Sequence, residues 1–401
     1  MKNLVLMMTF PGNFMRKEIV EKVGETYDSE RFIFMGEAKD VMVLRQCCEM
    51  ASGSNVVEEK SSDSHVTVRS KVARTKKCLE LTVYVRYAKD KGVEEIRAKS
   101  EFEFVVLGDS LYANDLKRFL SIVSRKHSRT CMGKGTYFVS MTFPDIRKVM
   151  STRSDWNVPD WITNKGGPPH DGLEFRADLL EDATKEGLSD SERTDSIMNQ
   201  LALVRRCGQN LPIIYTVRSK EQGGSFPDDE KEAWKLMLLG LRFGVEYLDV
   251  EACWKRNSRA SFMKLVRLIS SNTFVIGSYH AIQYPIFKMK QGELESLFHE
   301  CAYGDVDIVK VVGRAQHVQD SMTCHQTALR VKNVMPQSVK YIVAIAIKDA
   351  GRLSRAMNLC LGPTPVAHPA FPGKAAPGQL SAKEIEDLRV ALGEKSNPFR
   401  E

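Results

Sequence analysis

Asp307-Ile308-Val309-Lys310-Val311-Val312 is an apolar, β-branched run interrupted by a single lysine. Continuous apolar runs of this length read as strands covered on both faces, the usual condition of strands in a parallel sheet. A lysine inside one is costly unless it is neutral or paired, because burial strips water from the ammonium. Similar runs lie on either side. Upstream come Tyr137–Phe143, Leu173–Arg176, Pro212–Arg218, Val245–Glu251 and Phe274–His280; downstream come Tyr341–Ile347 and Pro365–Phe371. Eight runs, with helix-length segments between most of them, predict an α/β fold: a (βα)8 TIM barrel over residues 135–400.

Residues 1–130 have a different rhythm and predict a smaller α+β domain ahead of the barrel. Leu4–Met8 reads as a short strand and Phe14–Val23 as a helix following the Pro11-Gly12 turn. Ala51–His65, rich in Ser, Glu and Asp, reads as a loop. Three alternating runs, His65–Arg69, Leu79–Val85 and Glu101–Val106, predict an antiparallel sheet with one solvated face, and Asp115–Val123 predicts a helix.

Composition narrows the class. The 401 residues are 43% hydrophobic and 27% charged, with a formal charge of +7, enough apolar material for a large core and too little charge bias to argue for nucleic acid. The basic cluster Arg125-Lys126-His127-Arg129 reads first as a solvated face. Nine scattered cysteines form no Cys-x-x-Cys and no metal-ligand spacing with the eight histidines, so neither a metal nor a disulfide framework is expected. The apolar N-terminal run is broken at Pro11-Gly12-Asn13, short of a signal peptide or membrane span. These features predict a cytoplasmic chain with no membrane partner. Pairing of two barrels as a homodimer is compatible with them.

In a barrel of this kind, chemistry gathers where strands run into the loops that follow them. Several predicted strands end on ionisable groups: Glu174, Arg176 and Asp178 on the second, Arg218 on the third, Asp249 and Glu251 on the fourth, and His280 on the fifth. Lys310 lies on the sixth, and Arg352 and Arg355 follow the seventh. Burial disfavours an ammonium, and a neutral amine is what attacks a carbonyl. Lys310 is therefore the candidate imine-forming nucleophile, set against the plainer reading of a lysine that salt-bridges a neighbouring strand end. His280, one strand earlier, is placed to move protons. Three arginines at one mouth imply an anionic, hydroxylated small-molecule substrate, since guanidinium forks match carboxylates.

These residues carry a family resemblance. Glu174-Phe175-Arg176-Ala177-Asp178, the run Pro212–Gly224, Glu246–Glu251 and Ile276–His280 resemble type I 3-dehydroquinate dehydratase. So do Asp307–Val312, Ser354–Asn358 and Lys374–Leu380, and the likeness is nearest to the dehydroquinase domain of the fungal pentafunctional arom polypeptide. The resemblance implies that Lys310 forms a Schiff base with 3-dehydroquinate and that His280 transfers the proton. It also implies that Asp249 and Glu251 support that pair, that Arg355 grips the substrate carboxylate, and that Glu174, Arg176, Arg218 and Gln379 surround the ring hydroxyls. No cofactor or metal is implied; the product is 3-dehydroshikimate. Gln222 and Ala375 stand where bacterial members carry an acidic residue and a hydroxyl.

A second class comes from the same resemblance: fungal quinate-pathway repressors use such a barrel to sense metabolites without turning them over. Retention of Lys310, His280 and the arginines favours the enzyme. The arom architecture places a shikimate kinase ahead of the barrel, and that kinase needs a Gly-Lys-Ser/Thr phosphate loop. The equivalent Thr9–Lys17 has one glycine and no such ending, which leaves a non-catalytic domain or a degenerate kinase relative.

Overall fold

The computed structural model describes residues 29–37, 41–52, 57–61, 65–70, 78–107, 112–124, 132–150, 167–208 and 211–399. Leu4–Met8, Thr9–Lys17, Phe14–Val23 and the Arg125–Arg129 cluster lie outside them. Two sheets organise the chain. The first has five strands: β1 (Ser29–Gly36), β2 (Val57–Ser61), β3 (Val66–Ser70), β4 (Cys78–Tyr87) and β5 (Phe102–Val106), in the spatial order β2-β3-β1-β4-β5. The second has eight: β6 (Tyr137–Met141), β7 (Gly172–Arg176), β8 (Ile213–Thr216), β9 (Tyr247–Glu251), β10 (Phe274–Ala281), β11 (Ile308–Arg314), β12 (Tyr341–Ile347) and β13 (Thr364–Val366). All its ladders are parallel, and β13 pairs with β6 so that the last strand returns beside the first in a (βα)8 barrel, while among the described residues no ladder joins β13 to β12.

Each of the eight predicted barrel runs overlaps an observed strand. The last is the shortest: of Pro365–Phe371 only Pro365 and Val366 are extended, because the loop that follows turns away at once. The front sheet departs from expectation. It is mixed, with β2, β3 and β1 antiparallel but β1, β4 and β5 parallel. The reason is that β1 and a helix over Val41–Ser52, neither of which the alternation pattern singles out, insert ahead of the three anticipated strands. The polar stretch expected to be a loop also contains β2. An edge strand can be polar, since one flank and one face meet water.

Local chemistry sets the helix ends. Ser189 and Glu192 form a reciprocal capping box at the start of the helix Asp190–Cys207. Asp229 caps Glu230–Phe243 through the amides of Lys231 and Glu232, and Gly244, at φ +74°, closes that helix in the left-handed region. These two helices pack beneath β5 of the front sheet. The apolar contacts of the front sheet and the barrel's outer layer form one continuous cluster, from Phe34 and Val83 through Phe119 to Leu241 and Val366.

The barrel interior is layered. Its lower part is a plug of Phe138, Ile214, Tyr247, Phe274, Ile276 and Ile308, with the Tyr247 and Phe274 rings stacked at 5.1 Å. Side chains alternate along a strand, so the next inward positions toward the C-terminal ends carry the polar residues. Among the described residues no helix is long and apolar enough to cross a membrane.

Candidate active site

Parallel pairing places the named residues at one level. Ser278 on β10 is the register partner of both Glu251 on β9 and Lys310 on β11, and Ile276 partners Asp249. Lys310 is buried, with its Nζ 3.0 Å from Asp249 Oδ2, 3.4 Å from Glu174 Oε1 and 5.8 Å from the centre of the Phe138 ring. The plain expectation of a salt-bridged lysine and that of a nucleophile at a barrel mouth therefore meet in one side chain. Asp249 is also held by Arg218, at 2.8 Å, and Arg218 reaches Glu251 at 2.9 Å.

The two carboxylates of β9 are driven in opposite directions. Burial opposes ionisation of Asp249, yet Arg218 and Lys310 outweigh it and hold the group ionised far below the usual carboxylate range. For Glu251 burial wins over Arg218 and the Ser219 amide, and its pKa is raised. Glu174 stays on the ionised side despite full burial, because Lys310 and Arg176 face it and Ser140 donates to it. Burial, reinforced by Arg218 and Lys310, pulls His280 well below 6.5, so its imidazole is neutral at neutral pH. Its Nδ1 is buried without a hydrogen-bond partner.

The remaining predicted residues are more peripheral to this cluster. Arg176 sits at the end of β7, forked onto Asp178 at 2.8 and 2.7 Å. Arg355 lies in the helix Leu353–Asn358, where Nη1 donates to the Pro365 carbonyl at 3.0 Å and Nε has no partner. Among the described residues no carboxylate opposes it, and burial pushes its pKa down to about 10. Gln379 is folded onto its own loop, its Oε1 accepting from the Ala375 amide at 2.9 Å. That loop docks on the end of β12, where the Lys348 amide donates to Pro377 at 2.9 Å. Gly378, at φ +74°, passes so close that a Cβ there would lie 2.2 Å from the Lys348 carbonyl. Neither Arg355 nor Gln379 hydrogen-bonds the Lys310 cluster among the described residues.

Three hydroxyls escaped the reading of ionisable groups. Ser140 donates to Glu174, Thr216 donates to Glu174 Oε1 at 3.0 Å, and Ser278 donates to Asp249 Oδ1 at 2.5 Å. Gln222, singled out only as a departure, accepts from the His280 amide at 2.6 Å. Their signal was positional. Thr216 and Ser278 stand two residues before Arg218 and His280, and hence on the same inward face.

A parallel (βα)8 barrel with a buried amine, flanked by ionised carboxylates and a neutral imidazole at its C-terminal mouth, defines a class of barrels equipped to bind a small polar molecule at the strand ends. Comparison with known proteins narrows the class. The model of the family "Type I 3-dehydroquinase" matches residues 165–396, more than half of the chain. The pentafunctional AROM polypeptide of Schizosaccharomyces japonicus is 36% identical over 283 residues, covering 69% of this chain and 16% of that one. That of Mycosarcoma maydis is 32% identical over 296 residues, covering 73% and 15%. The chain thus spans about a sixth of the length of these curated relatives. The solved dehydroquinate dehydratase and shikimate dehydrogenase structure from S. pombe AroM is 30% identical, covers 65% of this chain and 45% of that one, and superposes with a TM-score of 0.52. A type I 3-dehydroquinate dehydratase from Clostridium difficile, 18% identical, covers 67% and 96% with a TM-score of 0.53 and shares the fold. This chain belongs to the type I 3-dehydroquinase family.

Proposed function

We propose that this chain is a lyase that dehydrates 3-dehydroquinate to 3-dehydroshikimate through an imine on Lys310. The observation that carries the reading is the setting of that lysine: buried, and within 3.0 Å of an acceptor, Asp249, that stays ionised far below neutral pH. Such a carboxylate holds the amine in place and, staying ionised throughout, stabilises the positive charge of the imine that forms on it. The amine adds to the C3 carbonyl and water departs, leaving a protonated imine that draws electrons from the adjacent carbon. Neutral His280, one strand away, takes the C2 proton, and the electron pair is held as an enamine. The enamine then returns its pair and expels the C1 hydroxyl, which leaves as water on receiving the proton from His280. Hydrolysis of the imine frees the product and restores Lys310.

Arg355 fits the role of carboxylate grip because its buried charge has no anion of its own. Glu174, Arg176, Arg218 and Gln379 line the same end of the barrel and suit a ring bearing several hydroxyls, while Glu251, with its raised pKa, stands beside Arg218 as a proton-holding neighbour. In this reading residues 1–130 form a non-catalytic α+β domain, residues 135–400 the dehydratase barrel, and the setting is the cytoplasm. Supporting that setting, Cys301 and Cys324 are buried free thiols. The test is borohydride reduction in the presence of 3-dehydroquinate. A covalent adduct on Lys310 and dehydration by the native chain are expected. A native chain that neither dehydrates nor traps the compound refutes the reading.

A further inference from the structure

Asp249 has two oxygens, and the fold assigns them different partners. Oδ2 faces Lys310 at 3.0 Å; Oδ1 takes Arg218 at 2.8 Å and the Ser278 hydroxyl at 2.5 Å. Ser278 is fully buried, and its Oγ also receives a hydrogen bond from Arg218 Nη1 at 2.9 Å. A guanidinium can only donate, so the hydroxyl must accept there. Its single proton is thereby committed to Asp249. The serine is polarised by a cation on one side and an anion on the other, and it stands in register with Lys310 itself.

We propose that Ser278 is a positioning residue for the imine step, clamping Asp249 so that one oxygen is reserved for Lys310. The inference rests on the dehydratase reading, and it acts through Asp249 rather than by touching substrate. The ionisable groups that face this point are Glu174 and Arg176 from β7, Arg218 from just beyond β8, Asp249 and Glu251 from β9, His280 from β10 and Lys310 from β11. Among the described residues only Ser278 joins Arg218 to Asp249 through a hydroxyl. Without it, Oδ1 keeps a single donor and the carboxylate is free to turn away from Lys310.

Ser278→Ala tests this in the full chain. A hydrogen bond to a charged group corresponds to a loss of about ten- to a hundredfold, expected here in kcat with KM changed by about twofold or less. Ser278→Thr, which keeps the hydroxyl, should recover most of kcat. Direct observation of Lys310 by NMR on chain labelled with [ε-15N]lysine needs no substrate and should show its resonance displaced in Ser278→Ala. A merely structural serine would lower the melting temperature while leaving kcat and that resonance as in the native chain, and this outcome overturns the proposal. An Ala variant with an unshifted resonance overturns it even if turnover falls. Failure of the native chain to trap substrate counts against the dehydratase reading alone, and the lysine resonance then decides the role of Ser278 by itself.

Discussion

Two buried clusters of charge lie on either side of the barrel wall, and they are built on different terms. In the mouth, Lys310, His280, Arg218, Asp249, Glu174 and Glu251 bring together an amine, a neutral imidazole, a guanidinium and three carboxylates, of which Asp249 and Glu251 have opposite tendencies. Between the front sheet and the barrel, Arg86 and Arg97 fork onto Glu103 at 2.6 and 2.8 Å, and Arg97 continues to Asp195 on the helix Asp190–Cys207 at 2.5 Å. Arg86 also reaches Asn199 at 2.9 Å, and Arg242 donates to the Arg97 carbonyl at 2.7 Å. This second cluster contains guanidinium groups and carboxylates but no amine and no imidazole. Arginine does not give up its proton, so the interface can hold but cannot react. The mouth differs in that its proton carriers are pushed apart in affinity while lying within one network, the arrangement the proposed chemistry requires.

The largest effect should come from removing the only amine in the mouth network. Lys310→Ala is expected to lower turnover by at least about ten-thousandfold and to eliminate the borohydride adduct, both read by activity assay and intact-mass measurement. Retained trapping would mean that another lysine forms the imine. His280→Ala should cost about a hundred- to ten-thousandfold in kcat and still allow the adduct to form, since the imidazole is assigned to the later proton transfer. Equal loss of trapping and turnover would move the histidine to the first step. Arg355→Met should lower kcat/KM by about a hundredfold, chiefly through KM, because the lost contact is to a non-reacting carboxylate.

On the other side of the wall the signature should invert. Glu103→Gln leaves Arg86 and Arg97 buried without their shared anion and should cost about 3 kcal/mol of stability, seen by denaturant unfolding, with kcat at permissive temperature close to native. A large kcat loss with native stability would erase the distinction between the clusters. Acid should sharpen it. Against the opposing effect of burial, Arg86 and Arg97 lower the Glu103 pKa from 4.5 to about 2. A depressed folded-state pKa gives stability that is present above about 4.5 and disappears as pH falls toward about 2. The native chain should therefore lose stability across that window, and Glu103→Gln should lose less. The smallest effect concerns the mouth: the His280 limb in the kcat/KM profile should lie below 6.5, opposite to a histidine stabilised as a cation.

The barrel was legible because burial on both faces forces each strand to be apolar over its whole length, and that leaves a periodic record. Lys310 was legible for the same reason, as an exception within such a run. The mixed order of the front sheet was not. β1 and β4 become parallel neighbours through a crossover, a long-range choice that alternation within either strand does not encode. Ser278, Thr216 and Ser140 were also missed, since a serine or threonine in a strand carries no charge to explain. Their roles depend on which carboxylate oxygen lies across the barrel.

The continuous core that joins the front sheet to the barrel belongs to the same category. Arg118 and Arg205 both bind Glu246, at 2.8 and 2.6 Å, and Glu246 also receives the Ile213 amide. One acidic residue ahead of β9 thus links the helix Tyr112–Val123 of the front region to two barrel strands. By itself the sequence determined the elements of the barrel and which ionisable groups its strands carry to the mouth, because burial and valence constrain each residue where it stands. Only the tertiary structure decided that Asp249 turns one oxygen to Lys310 and the other to Ser278 and Arg218. Hydrogen bonds between strands far apart in the chain are fixed by register and closure, and no single segment carries that information.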